Sequence, residues 1–184
     1  MTDDDAVSEQ EERLVVSESG SSEARHCFAA VAALVFAKLP CAEGEHVGST
    51  AVPGCLTKGD VDVLVRGSRA DFQQALAVLD ELLTRSTRNE PTDDYVEYEY
   101  SAAAVAASVQ LVAAGGAHDD FHRLKAILKS DSEALERFNA LKLRYDGRSM
   151  TEYRQAKAAL VDSLLAASAV GEKGARAIKP GIYE

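Results

Sequence analysis

Two aspartates two residues apart, Asp60 and Asp62, open a stretch that alternates acidic and apolar residues before a longer apolar finish at Val63-Leu64-Val65. Alternation of this kind is strand patterning, and on a strand residues i and i+2 point to one face. Two carboxylates on one face repel each other unless a cation lies between them. Magnesium is the economical cation: it takes oxygen ligands, needs only one or two carboxylates, and shares the rest of its shell with substrate phosphates. In phosphoryl and nucleotidyl transfer such ions neutralise the triphosphate and align the attacking and leaving oxygens. A half-exposed acidic strand with no chemistry is the plainer account of the pair taken alone.

Upstream lies Gly48-Ser49-Thr50. A glycine-serine turn at a strand end lets backbone N–H groups approach phosphate oxygens with no Cβ in the way, and the serine hydroxyl adds a donor. Lys58 offers a point charge to departing phosphates. Lys125, Lys129, Lys142, Arg144 and Lys157 recur farther along and make either a basic wall for triphosphate or an ordinary solvated surface. Glu97 and Glu99 share one face of a second alternating stretch and are candidates for a third carboxylate, or solvated-face glutamates. His46 either orients the Gly-Ser turn or is a buried, hydrogen-bonded histidine. His118 and His122 stand four apart, a spacing that grips a metal on a helix, but no third ligand lies near them in sequence.

The elements that must position these groups read as follows. Glu23 to Leu39 carries Phe28, Val31, Leu34 and Val35 at helical spacing, and Pro40 stops it. Residues 70 to 83 form an amphipathic helix through Phe72, Leu76, Leu79 and Leu83. Tyr95 to Tyr100 alternates as an antiparallel strand does, and Ala104 to Val112 is a second strand of that type. Beyond Gly115-Gly116 the chain is helical to about Ala167 in three segments, with Ser149 as N-cap of the third. Helix, mixed strands and then a helical cap make an α+β order.

The bulk properties narrow the class. The 184 residues make one ordinary domain, and 46% hydrophobic content fits a globular core. A net charge of −10 disfavours a general nucleic-acid binder, because phosphate backbones repel an acidic surface. There is no run long and apolar enough for a membrane span, and the acidic start at Asp3-Asp4-Asp5 is unlike a secretory leader. Cys27, Cys41 and Cys55 form no CxxC pair and read as small buried thiols of a reducing, cytoplasmic protein.

The string His46-Val47-Gly48-Ser49-Thr50-Ala51-Val52-Pro53-Gly54 resembles the signature of the GrpB family, a branch of the nucleotidyltransferase superfamily. That superfamily's pattern is Gly-Ser followed by spaced acidic residues on the next strand. The resemblance runs from about Leu14 to Leu165, with Asn139-Ala140-Leu141-Lys142 and Tyr153-Arg154-Gln155-Ala156-Lys157 on familiar positions of the helical region. It implies a nucleotidyltransferase-like α+β fold: a mixed or antiparallel sheet flanked by helices, with a C-terminal helical region. The domain then spans residues 13–168, with the sheet core to about 116 and a helical cap over 118–168. An acidic disordered tail (1–12) and a C-terminal tail (169–184) flank it.

Where the family usually runs Lys-Pro-Ile-Ile-Asp-Ile, Lys58 and Asp62 match, Gly59 and Asp60 replace Pro and Ile, and Leu64 stands at the place of a second Asp. Ser108 and Gln110 stand where the family tends to carry histidines, and the tryptophan expected near the N-terminal loop is absent. The resemblance implies an enzyme that uses magnesium and ATP, or another nucleoside triphosphate, to transfer a nucleotidyl group to a small molecule or to adenylate one. Asp62 and Asp60 would hold the metal and, with Lys58, carry the chemistry. Gly48, Ser49, Thr50, Lys125 and Lys157 would bind nucleotide, and His46, Ser108 and Gln110 would line the substrate pocket. The partner is a small molecule, not nucleic acid or membrane. The departures favour an unusual substrate or the alternative reading, a nucleotide- or small-ligand-binding module that has lost the chemistry. A protein-interaction domain acting through the Ala-rich C-terminal helices is the third reading.

Overall fold

The computed structural model describes residues 12–18, 22–101 and 105–176, with side chains described to residue 168. Among these described residues seven strands and five helices follow in the order β1 (Ser17–Glu18), α1 (Ser22–Phe36), β2 (Glu43–Val47), β3 (Leu56–Thr57), β4 (Val61–Gly67), α2 (Phe72–Leu82), β5 (Thr84–Arg85), β6 (Tyr95–Tyr100), β7 (Ala107–Ala113), α3 (Phe121–Ser130), α4 (Ser132–Tyr145) and α5 (Met150–Arg176). A short 3-10 turn, Ser49–Ala51, follows β2.

Five strands form one sheet in the order β2-β4-β7-β6-β5. Its centre is a parallel pair, β4 with β7, and the other neighbours run antiparallel. The sheet is thus mixed, with helices on both sides. Strand period 2 sorts the side chains into two faces. One face presents Val61, Val63 and Val65 of β4 and Ala107, Val109 and Leu111 of β7 to a core completed by Val31 and Val35 of α1 and Phe72 and Leu79 of α2. The other face reads, in one row across the sheet, Val47, Asp62, Ser108 and Glu99, and in the next Glu45, Leu64, Gln110 and Glu97. A face so rich in polar groups is unsuited to apolar packing, and α3, α4 and α5 close over it as a cap while leaving a cavity between.

The cap rests on the loop after β2. Val52 and Cys55 are fully buried among Leu128 of α3, Ala134 and Phe138 of α4 and Leu164 of α5. Asn139 ties the same loop down: its Oδ1 accepts from Leu56 N and its Nδ2 donates to Gly54 O, both at 2.8 Å. At the other end, Arg66 of β4 donates from Nε (2.7 Å) and Nη2 (2.8 Å) to both carboxylate oxygens of Asp119, just before α3. Such a fork fixes angle as well as distance.

Several expectations are refined. The helices at 22–36 and 72–82 and the strand at 95–100 fall where periodicity puts them. Ser149 caps α5, its Oγ accepting from Glu152 N at 3.4 Å. The helix then passes Gly171 and continues to Arg176 instead of fraying near 167, so the expected tail is described as helix that far, and 177–184 lie outside the described residues. Of the expected N-terminal tail, 1–11 also lie outside them, while Glu12 is fixed by Met150 N on its carbonyl (2.9 Å) and Arg154 on its carboxylate (2.9 Å). Cys27 and Cys55 are buried thiols, but Cys41 is exposed. No described helix is long and apolar enough to cross a membrane.

Candidate functional site

Between the polar sheet face and the cap lies a cavity of about 610 Å³. Gly48, Ser49, Lys58, Asp60, Asp62, Glu97, Ser108 and Gln110 line it from the sheet side, and Lys125, Lys142, Tyr153 and Lys157 from the cap. The chain thus brings most of the residues marked by the sequence into one space. A smaller cavity of about 540 Å³ adjoins it and shares Lys58, Asp60, Arg88 and Ser108 with it.

Asp62 sits deep in the larger cavity, and the chain makes room for it. Gly48 has φ +71°, and a Cβ built on it would lie 2.0 Å from Asp62 Oδ2. Only glycine satisfies both demands, the left-handed backbone and the contact. Burial, and secondarily the negative charge of Asp60, push the Asp62 carboxyl from 3.8 up to about 6; Lys157 and Lys58 oppose this, and Glu97 adds to it. A carboxylate pair that the protein's own cations only partly neutralise has the donor chemistry of a divalent-ion site.

Asp60 is placed differently from the expectation. β4 begins at Val61, so Asp60 stands just before the strand rather than on it. Its carbonyl accepts from Thr50 Oγ1 at 3.0 Å, and its carboxylate pairs with Lys58 Nζ at 2.9 Å. Thr50 Oγ1 spends its one hydrogen on Asp60, so His46 Nε2, 3.0 Å away, must donate to it. Burial and the charge of Lys125 lower the pKa of His46, consistent with a neutral ring.

His46 and Thr50 are therefore not in the cavity. His46 points to the opposite sheet face, where it stacks on Phe28 at 4.8 Å between ring centres. The correction follows from strand alternation: Val47 and Glu45 flank His46 and share the face of Asp62, so His46 cannot. Its place makes it a support for the turn: His46 holds Thr50, and Thr50 holds the backbone of Asp60.

The two glutamates also part. Glu97 is buried in the larger cavity, bonded by Asn89 Nδ2 and paired with Arg88 Nη2 at 3.0 Å, while Glu99 lines the smaller one. Ser108 accepts from Arg88 Nη2 at 2.8 Å, and Gln110 Oε1 accepts from Tyr95 Oη at 2.5 Å. Lys125 Nζ pairs with Glu45 at 2.6 Å, and Lys157 acts on Asp62 by charge. His118 and His122 do not join in a metal site: α3 begins only at Phe121, and their rings turn to Asp94 and Asp119 respectively. Among the described residues no group of three or more His, Cys, Asp or Glu is arranged to hold a metal. An ion at Asp60 and Asp62 would therefore have to complete its shell from bound phosphate and water, as magnesium ordinarily does.

Lys142 is the residue that pattern reading undervalues. It is buried at 3% exposure, and its Nζ donates to Ser49 Oγ and to Leu56 O and lies 3.4 Å from Cys55 Sγ. Burial lowers its pKa from 10.5 to about 8. Lys142 follows Phe138 by four residues and Leu135 by seven, which puts a lysine on the apolar stripe of α4. That misplaced charge is the signal that singles it out from the surface lysines. Arg88 and Asn89 lie in an irregular segment where no periodicity marks them.

Comparisons with known proteins bear on the family and the fold. A sequence model of the family described as GrpB protein matches residues 18–167. A UPF0157 protein of Vibrio cholerae is 30% identical over 132 residues, which is 71% of this chain and 70% of that protein. The crystal structure of the conserved protein GrpB from Enterococcus faecalis superposes with a TM-score of 0.64 at 14% identity, over 84% of this chain and 99% of that one. The poly(U) polymerase Cid1, crystallised with MgGTP, overlaps at a TM-score of 0.45 and 13% identity over 67% of this chain and 41% of its own, too slight a likeness to bear on function.

Proposed function

The chain belongs to the GrpB family, and from that premise we propose that its larger cavity binds a nucleoside triphosphate with magnesium and transfers the nucleotidyl group to a small molecule. The observation that carries the reading is that Asp60 and Asp62 line one cavity with Lys58, Lys125, Lys142 and Lys157. Magnesium held by Asp60 and Asp62 would neutralise the triphosphate and orient its α-phosphorus.

The chain's own groups have assignable parts. Gly48 gives up its side chain so that the turn closes against Asp62. Ser49, held by Lys142, presents its hydroxyl to phosphate, and the buried ammonium of Lys142 fixes the loop under it. Lys58, paired with Asp60 in the free chain, would neutralise the pyrophosphate that leaves as the acceptor oxygen takes its place on the α-phosphorus, and Lys125 and Lys157 would attract the triphosphate from the cap. ATP is the nucleotide favoured, and a small acceptor rather than a polynucleotide suits a chain of net charge −10.

The test is thermal unfolding and calorimetry with ATP, with and without magnesium. The proposal expects magnesium-dependent stabilisation that Asp62→Ala removes. No nucleotide binding by the unaltered chain, or an affinity that Asp62→Ala leaves untouched, would overturn it. A second reading, a ligand-binding module without chemistry, is favoured by the Lys58–Asp60 pair at 2.9 Å, which neutralises one carboxylate internally. It expects ligand stabilisation that chelation does not alter and no product.

A further inference from the structure

The smaller cavity meets the larger one along a wall of four residues, Lys58, Asp60, Arg88 and Ser108. Three of them adjoin the carboxylate pair: Asp60 belongs to it, Lys58 is bound to Asp60 at 2.9 Å, and Ser108 lies directly across from Asp62 in the β4–β7 register. A molecule in the smaller cavity therefore approaches the reacting end of a nucleotide in the larger one from the side. We propose that this smaller cavity is the acceptor site and that it takes a small hydroxylated amine, an inference that rests on the nucleotide reading of its neighbour.

Charge selects the class of molecule. The two cations of the shared wall are already engaged: Lys58 with Asp60 at 2.9 Å, and Arg88 with Glu97 at 3.0 Å and with Ser108 at 2.8 Å. Glu99 is differently placed. Its side chain is 48% exposed, its longer contact to Arg88 is 3.6 Å, and both that contact and the bond from Ser86 Oγ use one oxygen, Oε1. The cavity thus offers a carboxylate to a cation and no unengaged cation to an anion. Tyr100 and Val105 supply apolar wall for a carbon skeleton, and a cavity of about 540 Å³ admits a molecule of monosaccharide size with water. An ammonium on Glu99 would leave a hydroxyl of the same molecule free to lie against Asp60 and Ser108. The negative field of the whole chain favours entry of a cation.

Saturation-transfer NMR on the full chain tests this with glucosamine as probe and glucose as its uncharged counterpart, each with and without magnesium and a non-hydrolysable ATP analogue. Glucosamine should bind about tenfold more tightly than glucose, the equivalent of ~1.5 kcal/mol for one charge-assisted hydrogen bond. Glu99→Gln should erase that preference. Ala106→Tyr, at an exposed residue of the cavity wall, should block both sugars without touching the core. Equal binding of the two sugars, glucosamine binding that survives both substitutions, or no glucosamine signal under any condition overturns the acceptor assignment. The analogue's own signals report separately: their absence sinks the nucleotide reading, whereas their presence without an amine preference sinks only the acceptor site.

Discussion

Replacing Asp62 with asparagine keeps the side chain's shape and removes its charge. In the metal-free protein that charge is a burden. The Asp62 carboxyl is raised from 3.8 to about 6, chiefly by burial and then by Asp60. A carboxyl with a folded value above its unfolded one holds its proton better in the native state. Folding is therefore favoured as pH falls through about 6, and the penalty for ionisation is fully present above it. The ceiling on that penalty is ~3 kcal/mol, and access to cavity water lowers it to roughly 1–3 kcal/mol. For a domain of this size 1 kcal/mol moves Tm by about 2–4 °C. Asp62→Asn should accordingly melt roughly 3–10 °C above the parent in EDTA at pH 8, while losing magnesium-dependent nucleotide binding. At pH 5 the native carboxyl is largely protonated but the unfolded one is still ionised, so the gain should shrink by about half. Thermal unfolding at the two pH values measures it. A variant no more stable than the parent at pH 8, or a gain that is the same at pH 5, refutes the burial argument.

Gly48→Ala should be destabilising by about 2–4 kcal/mol, from a Cβ 2.0 Å from Asp62 Oδ2 together with a left-handed backbone, and should abolish nucleotide binding in calorimetry. Lys142→Met should unfold within about 1 kcal/mol of the parent in urea, since an apolar chain replaces a buried ammonium, yet should weaken MgATP at least tenfold through the loosened Ser49. Asn139→Ala removes two bonds that tie the signature loop to the cap, and should lower Tm by about 4–8 °C for a loss of ~2 kcal/mol.

Much of the fold and the floor of the cavity is legible in the sequence because both depend on local pattern. Ser22–Phe36 and Phe72–Leu82 follow the helical period, Tyr95–Tyr100 the strand period, and Gly48-Ser49 belongs to a signature of nine residues in a row. What pattern does not carry is pairing at a distance. The two-residue strands β1 and β3 meet through Ser17 and Thr57, too short and too far apart to leave a period. The parallel registry of β4 with β7, which sets Ser108 beside Asp62, joins strands separated in the chain by α2, β5 and β6. His46 adjoins the signature yet faces away from the cavity, because register rather than proximity in sequence decides the face. Arg88 and Asn89 reach Glu97 from an irregular segment, and no spacing rule connects them to it.

The central claim is that Asp60 and Asp62 share a divalent ion with a bound triphosphate, and a crystal grown with a non-hydrolysable ATP analogue and manganese addresses it directly. Anomalous scattering locates manganese, which stands in for magnesium. The account predicts a peak within ~2.0–2.4 Å of a carboxylate oxygen from each aspartate and of a phosphate oxygen, with the phosphates against Gly48 and Ser49. A nucleotide bound elsewhere, or bound in the cavity with Lys58 still on Asp60 and no ion between the aspartates, would contradict it.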